Sequence, residues 1–515
     1  MGTLDFFRSR LESMIDLRHP LAVLSKRLPW DEIEASLSPL FLHKDRAGKR
    51  NEEADLFGSS VELAGAGISN AGRPRLMIRL MVSLQYLKHS FNLSDEELVE
   101  RWSENVVWQY VSGMEYYEPR LPCDATQIGR FRSILGEAGL EQLFKFTIET
   151  AVQIKAIKPA EFERIIVDTT VQEKAIAYPV DSRLLEIARH KVVHAAKRVG
   201  ISLKQTYIQE GKALRRKAGG YAHAKQFKRM RRSVKRQRTI LGIVMREVQR
   251  KLDAQSLALA AGSAHVQAPS SPKELGANQK AITQLQSLLE RAERIRTQQR
   301  KDKNKLYALH APEVECLAKG KARKPYEFGV KVSLAVTHKQ GLMVGAKRFA
   351  GNPYDGNTLA DQLEQTNSLL DNIGVKPTTA VVDLGFRGVD EDVAPVNVIH
   401  RGKFKSLTQE EKRWLKRRQA IEPMIGHTKS DNRMDRCWLK GSTGDALHAL
   451  GCAAGYNIRW LLRAIVRLGI KPVFLRLLFV AVMALIGIKY LSNWLLSTNA
   501  NFVAKLQRWT TTKLS

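Results

Sequence analysis

The sequence predicts an α/β fold in which a strand-rich core is split after its first strand by a large helical insertion and preceded by a helical domain. Three observations predict it. Runs rich in β-branched and other apolar residues, of strand length, fall at 164–170, 328–336, 341–349, 378–383 and 396–400. Helical spacing of apolar residues takes over from about position 70 to 150. The stretch Leu184–Leu306 carries 29 lysines and arginines against 8 acids, so +21 of the chain's formal +31 is concentrated there.

Residues 1–150 read as an N-terminal helical domain that binds DNA. Pro29-Trp30-Asp-Glu has the form of a helix start, and Leu76, Ile78, Leu80, Met81, Leu84 and Leu87 recur at helical spacing. Ser94-x-x-Glu97 is a capping box, and Asp124-x-x-Gln127 repeats the signal before Ile128, Phe131 and Leu135. Short helices with Arg130 and Arg132 turned away from the apolar face suit a helix-turn-helix reader. A bundle that only packs or dimerises suits the same pattern.

From Phe162 the texture becomes strand-like. Residues 160–183 hold the first strand, and 325–465 hold the rest of the core. The connector Thr337-His-Lys-Gln-Gly341 has hairpin length, a helix starts near Asn357, and the strand Thr378–Asp383 follows. Three strands, a helix, two further strands and a helix make up the order of an RNase H-like core.

The insertion, 184–318, is densest in charge at Lys225, Lys228, Arg229, Arg231, Arg232, Lys235, Arg236 and Arg238. This segment passes into a helix-spaced run, Ile240 to Leu252. A break rich in small residues and proline at Gly262–Gly276 and a second helix, Ala281–Lys305, predict an antiparallel helical hairpin. The plain alternative for a charge run is a solvated helix face. So large an excess in one insertion favours contact with the DNA backbone and a steep dependence on salt.

Composition narrows the partners. With 83 Lys+Arg against 52 Asp+Glu in 515 residues, a polymer of phosphates is the expected counterpart. Cys123, Cys316, Cys437 and Cys452 form no C-x2-C pair, which suggests neither zinc nor a disulfide framework and suits a reducing cytoplasm. Met1 to Arg10 has no secretory h-region. The C-terminal tail, 466–515, contains the apolar run Leu477–Ile488, twelve residues between Arg476 and Lys489. That falls short of the roughly 20 residues of a membrane span, so no membrane partner is expected.

The chemistry lies in three acids. Ile165-Ile-Val-Asp168 and Ala380-Val-Val-Asp383 each read as a strand ended by aspartate, and Glu422 follows Asp383 by 39 positions inside Arg418-x3-Glu422-x6-Lys429. Two carboxylates at neighbouring strand ends repel, and hard divalent cations resolve the conflict. With Glu422 added, the set suits two Mg²⁺ ions about 3.5–4 Å apart, with Mn²⁺ as a substitute, and such a pair cuts or joins phosphodiesters. Gly385 and Gly388 allow a sharp turn after Asp383. On one continuous helix, Arg418 and Lys429 fall about 40° and 20° from Glu422 and share its face, although Pro423 interrupts that argument. An i, i+4 ion pair between Arg418 and Glu422 is the plain alternative.

These motifs resemble the bacterial insertion-sequence DDE transposases, in the group related to insertion sequence family five, with an InsH-like N-terminal domain. The resemblance runs from His19-Pro-Leu-Ala-Val-Leu and Pro29-Trp30 through Val167-Asp168-Thr-Thr and Val382-Asp383-Leu-Gly-Phe-Arg-Gly388 to Ile421-Glu422-Pro-Met-Ile-Gly-His-Thr-Lys429. It implies that Asp168, Asp383 and Glu422 are catalytic and bind Mg²⁺, and that Arg418 and Lys429 hold phosphates. Leu415 stands where the family signature has tyrosine, and the chain beyond about Arg467 matches poorly. The resemblance further implies binding to terminal inverted repeats and target DNA, cleavage and strand transfer, and a homodimer assembled on DNA. A structure-selective nuclease of the same fold, or an inactive DNA-binding protein, is the alternative reading.

Overall fold

The protein is described by a computed structural model covering residues 9–41, 76–260, 272–318, 325–389, 391–469 and 483. Apart from Met483, the apolar run Leu477–Ile488 lies outside the described residues. Among the described residues, no helix is long and apolar enough to cross a membrane.

The N-terminal region is helical: α1 (Leu11–Met14), α2 (Pro20–Ser25), α3 (Trp30–Leu37), α4 (Ile78–Ser90), α5 (Asp95–Glu104), α6 (Val106–Val111) and α7 (Ala125–Gln153). The capping box is formed as expected. The Ser94 hydroxyl accepts from the Glu97 N–H at 3.1 Å, and Glu97 accepts from the Ser94 N–H at 2.9 Å. Asp124 caps α7 differently, accepting from the Thr126 N–H at 2.8 Å. Arg132 departs from expectation. It is buried, with Nη2 at 2.8 Å from Asp95 Oδ1 and Nε at 3.3 Å from Gln85 Oε1, because its apolar stem packs inward and the guanidinium neutralises a half-buried acid. Arg130 is exposed.

Next come β1 (Arg164–Glu173) and four helices, α8 (Asp181–Arg198), α9 (Ile208–His223), α10 (Phe227–Ala260) and α11 (Pro272–Thr297). The rest of the core follows as β2 (Glu315–Ala318), β3 (Tyr326–Thr337), β4 (Met343–Phe349), α12 (Leu359–Leu370), β5 (Thr379–Val381), β6 (Asn397–Ile399), α13 (Gln409–Arg417) and α14 (Ile421–Ser430). A last long helix, α15, spans 441–469. The expected strand and helix order is therefore found, with β2 as an addition.

The sheet is mixed. β1 lies between β3, antiparallel to it, and β5, parallel to it; β6 continues the parallel side, and β2 and β4 both pair antiparallel with β3. Ile165, Ile166 and Val167 are fully buried, as residues of a central strand covered on both faces must be. The β3–β4 hairpin closes where expected, with the Gly341 N–H donating to the Thr337 carbonyl at 3.0 Å and Gly341 at φ +67°, which an L side chain rarely adopts.

One continuous apolar core joins the N-terminal helices, the sheet and α15. Asn457 on α15 stitches these parts together: its amide donates to Thr147 Oγ1 at 3.0 Å and to the Met343 carbonyl at 2.9 Å, and it accepts from the Met343 N–H at 3.0 Å. The insertion has its own core, built from Leu185 and Val192 of α8, Leu241, Val244 and Val248 of α10, and Leu285 and Ile295 of α11. It is a four-helix unit where a two-helix hairpin was expected. α8 and α9 both pack against α10, and α11 packs against α8 as well as α10.

Candidate active site

β1 and β5 set two carboxylates side by side. They pair in parallel with Ile166 opposite Val381, and two residues further along each chain stand Asp168 and Asp383. An even step along extended backbone returns to the same sheet face. The Val382 N–H still donates to the Ile399 carbonyl of β6 at 2.9 Å, and Asp383 itself is extended, so the chain of β5 runs on extended as far as Asp383.

The expectation that both aspartates end strands needs correction at Asp168, which is the fifth of ten residues in β1. Its strand continues against β3 as far as Glu173, while β5 stops at Val381. The site therefore opens where β1 loses its parallel neighbour. Asp383 caps a 3-10 turn, Leu384–Phe386, accepting from the Gly385 N–H at 2.7 Å.

Asp168 is largely buried. Its Oδ1 accepts from the Thr169 N–H at 2.8 Å, and its Oδ2 lies 3.2 Å from Arg418 Nη1. Burial pushes its carboxyl above the ordinary value; the Arg418 guanidinium opposes this, and the nearby Asp383 charge adds to it.

The predicted shared face of Arg418, Glu422 and Lys429 is also corrected. Arg418–Ala420 is a 3-10 turn between α13 and α14, so no single α-helix carries the 100° spacing across it, and Arg418 reaches back to Asp168. The same break accommodates Pro423. As the third residue of α14, it lacks an N–H that would have had no intrahelical acceptor anyway. Glu422 is exposed in the first turn of α14, where the helix dipole favours a carboxylate. Fully buried Ile421 anchors the helix, which packs on β1. Lys429 is half-buried in the last turn of α14, and Leu415 is buried on α13.

Sequence reasoning missed Asp355. Its Oδ1 accepts from Thr169 Oγ1 and from Lys331 Nζ, each at 2.8 Å. A Cβ added at Gly385 would lie 2.9 Å from Asp383 Oδ1 and 3.0 Å from Asp355 Oδ2, so Asp355 borders the aspartate pair. Asn352-Pro and Asp355-Gly are turn signals, and they mask a carboxylate delivered just after β4.

The donor set fits hard divalent cations. Asp168 and Asp383 each keep lone pairs beyond the bonds described, and their mutual repulsion is the kind a cation relieves. Glu422 does not close a tight cage with them: among the described residues, His89, His448 and Cys452 are the metal-binding types whose ligand atoms lie within 4.8 Å of one another. Two ions about 3.5–4 Å apart, each about 2.1 Å from its oxygens, accept outer ligands up to about 8 Å apart, a wider spread than a single ion's cage allows.

In the insertion, Lys225, Lys228, Arg229, Arg231, Arg232 and Lys235 are exposed. Lys225 sits in the turn before α10 at φ +56°. Arg236 is exposed but paired with Glu210 at 2.7 Å, and half-buried Arg238 donates to the Gln298 carbonyl at 3.2 Å, so these two serve the insertion's own packing.

Two families match this chain. The one described as a transposase domain, DUF772, matches residues 9–133, and the one described as a transposase DDE domain matches residues 292–458. The chain belongs to the insertion-sequence DDE transposases. Asp383 and Glu422 of this transposase lie inside the DDE match, and Asp168 lies between the two matched segments. A relative from Rhizobium meliloti, described as uncharacterized protein ORF8 in nfe locus, is 39% identical over 226 residues, which is 44% of this transposase and 96% of the relative. No solved structure matches the chain. The DDE domain implies an RNase H-like core, in keeping with the mixed sheet.

Proposed function

We propose that this transposase binds the terminal inverted repeats of its element, cleaves at their ends and joins the freed 3′-OH to target DNA, with Asp168, Asp383 and Glu422 as its catalytic acids. The observation that carries this reading is the pairing of β1 with β5, which brings Asp168 and Asp383, distant in sequence, onto one face at the edge where β5 ends. Two Mg²⁺ ions held by these carboxylates would stabilise the attacking and leaving oxygens of an in-line displacement at phosphorus. Asp168 and Asp383 would hold one ion together, and Glu422 would complete the ligands of the second. Arg418, already beside Asp168, would hold a phosphate oxygen, and Lys429, two turns beyond Glu422, would hold another. The exposed cations of α10 grip the DNA backbone, the N-terminal helices read the repeats, and two chains handle the two ends together.

The test is an assay with labelled element ends, a target duplex and Mg²⁺. The native chain should yield joined products as well as nicks, and Asp383→Asn should yield neither. Nicks without joining would favour a nuclease, and unchanged cleavage by Asp383→Asn would remove that residue from the mechanism.

A further inference from the structure

His448 and Cys452 stand four residues apart on α15, and such spacing places two side chains on one helix face. They meet His89, the penultimate residue of α4. All three side chains are buried, at 4%, 0% and 3% exposure. Each offers a ligand atom within 4.8 Å of the other two. Cys452 Sγ lies 3.6 Å from His89 Nδ1. Around a tetrahedral zinc, with Zn–S about 2.3 Å and Zn–N about 2.0–2.1 Å, sulfur and nitrogen sit about 3.5 Å apart.

The surroundings orient the two histidines. His448 Nε2–H donates to the Arg433 carbonyl at 2.8 Å, which fixes the neutral tautomer with its lone pair on Nδ1. Metal-bound histidines usually carry such an outer hydrogen bond. Glycines seat His89: a Cβ at Gly451 would lie 2.6 Å from its Nε2, and one at Gly455 would lie 2.6 Å from its backbone carbon. The Asn432 amide donates to the His89 carbonyl at 3.0 Å.

We propose that His89, His448 and Cys452 bind one borderline-soft transition-metal ion of the zinc type, which clamps α4 of the N-terminal helices to α15 of the core. The thiol gives up its proton to bulk solvent on binding, and the two imidazoles coordinate as neutral ligands. The centre is separate from the carboxylate site, whose all-oxygen donors favour Mg²⁺ or Mn²⁺ over a sulfur-seeking ion.

The full-length chain, expressed with zinc, should carry one zinc per chain, and its zinc-edge X-ray absorption should show one sulfur and two imidazole nitrogens. Loaded with Co²⁺, it should show a thiolate-to-cobalt charge-transfer band. That band should vanish in Cys452→Ser and persist in Cys437→Ser and Asp383→Asn. The absorption spectrum of the unmutated chain decides the matter even if Cys452→Ser fails to fold. A chain without zinc, an oxygen-only shell, or a cobalt band surviving in folded Cys452→Ser would overturn the proposal.

Discussion

Asp168→Asn removes one charge from a pair of carboxylates that the sheet forces together, while leaving the side chain's shape in place. Adjacent strands lie about 4.8 Å apart, so the two acids repel by about 3 kcal/mol at an effective dielectric of about 20. Arg418, 3.2 Å from Asp168, returns about 5 kcal/mol on the same scale. Desolvation of the largely buried carboxylate costs several kcal/mol more. Burial and repulsion together outweigh the guanidinium, in agreement with the raised carboxyl pKa of Asp168. A folded-state carboxyl that keeps its proton to higher pH than the unfolded one loses stability as pH rises through its folded pKa. Without metal at neutral pH, Asp168→Asn should therefore be at least as stable as the native chain and should lack that loss. Saturating Mg²⁺ reverses the order, because an ion at about 100 times its Kd stabilises the native chain by about 2.7 kcal/mol and the variant by much less. Thermal unfolding with and without Mg²⁺, followed by the strand-transfer assay, checks both halves. A variant markedly less stable without metal, equally stabilised by Mg²⁺, or still active in joining would refute the reasoning.

Gly385→Ala should lower strand transfer by about 10²-fold with little change in unfolding, since its Cβ would push apart Asp383 and Asp355 and misplace reacting groups; unchanged rates would show the pocket to be slack. Asp95→Asn should destabilise the fold by about 3–5 kcal/mol in denaturant titration, leaving buried Lys88 and Arg132 without their counter-charge. Burial alone would raise the Asp95 carboxyl, but Lys88 and Arg132 more than reverse this, so its stabilisation is lost as pH falls through a folded pKa below the ordinary value, and an acid limb unchanged in the variant would contradict this. Alanine at Lys228, Arg231, Arg232 and Lys235 together should flatten the salt dependence of DNA binding by about 0.9 in log–log slope per phosphate contact removed, and an unchanged slope would return α10 to a merely solvated role.

Much of the core was legible because its signals are local. The β-branched runs, the glycine-bearing hairpin and the Ser94 capping box each depend on neighbours within a few residues, and each was found where expected. What escaped depended on distant partners. Arg132 looks like a surface cation until Asp95, on another helix, is placed beside it. Arg418 was assigned to Glu422's face because the 3-10 turn that redirects it toward Asp168 has no strong sequence mark. Asp355 hid behind turn residues, and His89 is 359 positions from His448, beyond the reach of any spacing rule.

The insertion joins the sheet at a narrow place. Glu173, the last residue of β1, and Glu315, the first of β2, both pair with Gly329, one on each side of β3. Buried Lys174 ties the two ends again, its ammonium 2.8 Å from Glu313 and 2.7 Å from Asp445 on α15. The departing and returning ends are thus about two strand spacings, or about 10 Å, apart. The four-helix unit hangs from the sheet as a pendant on one clasp. A lineage can lengthen, trade or discard such a pendant by recombination at its two ends, and the carboxylate rim, with Asp168 five residues before the departing end of β1 and Asp383 just after β5, need not shift when it does.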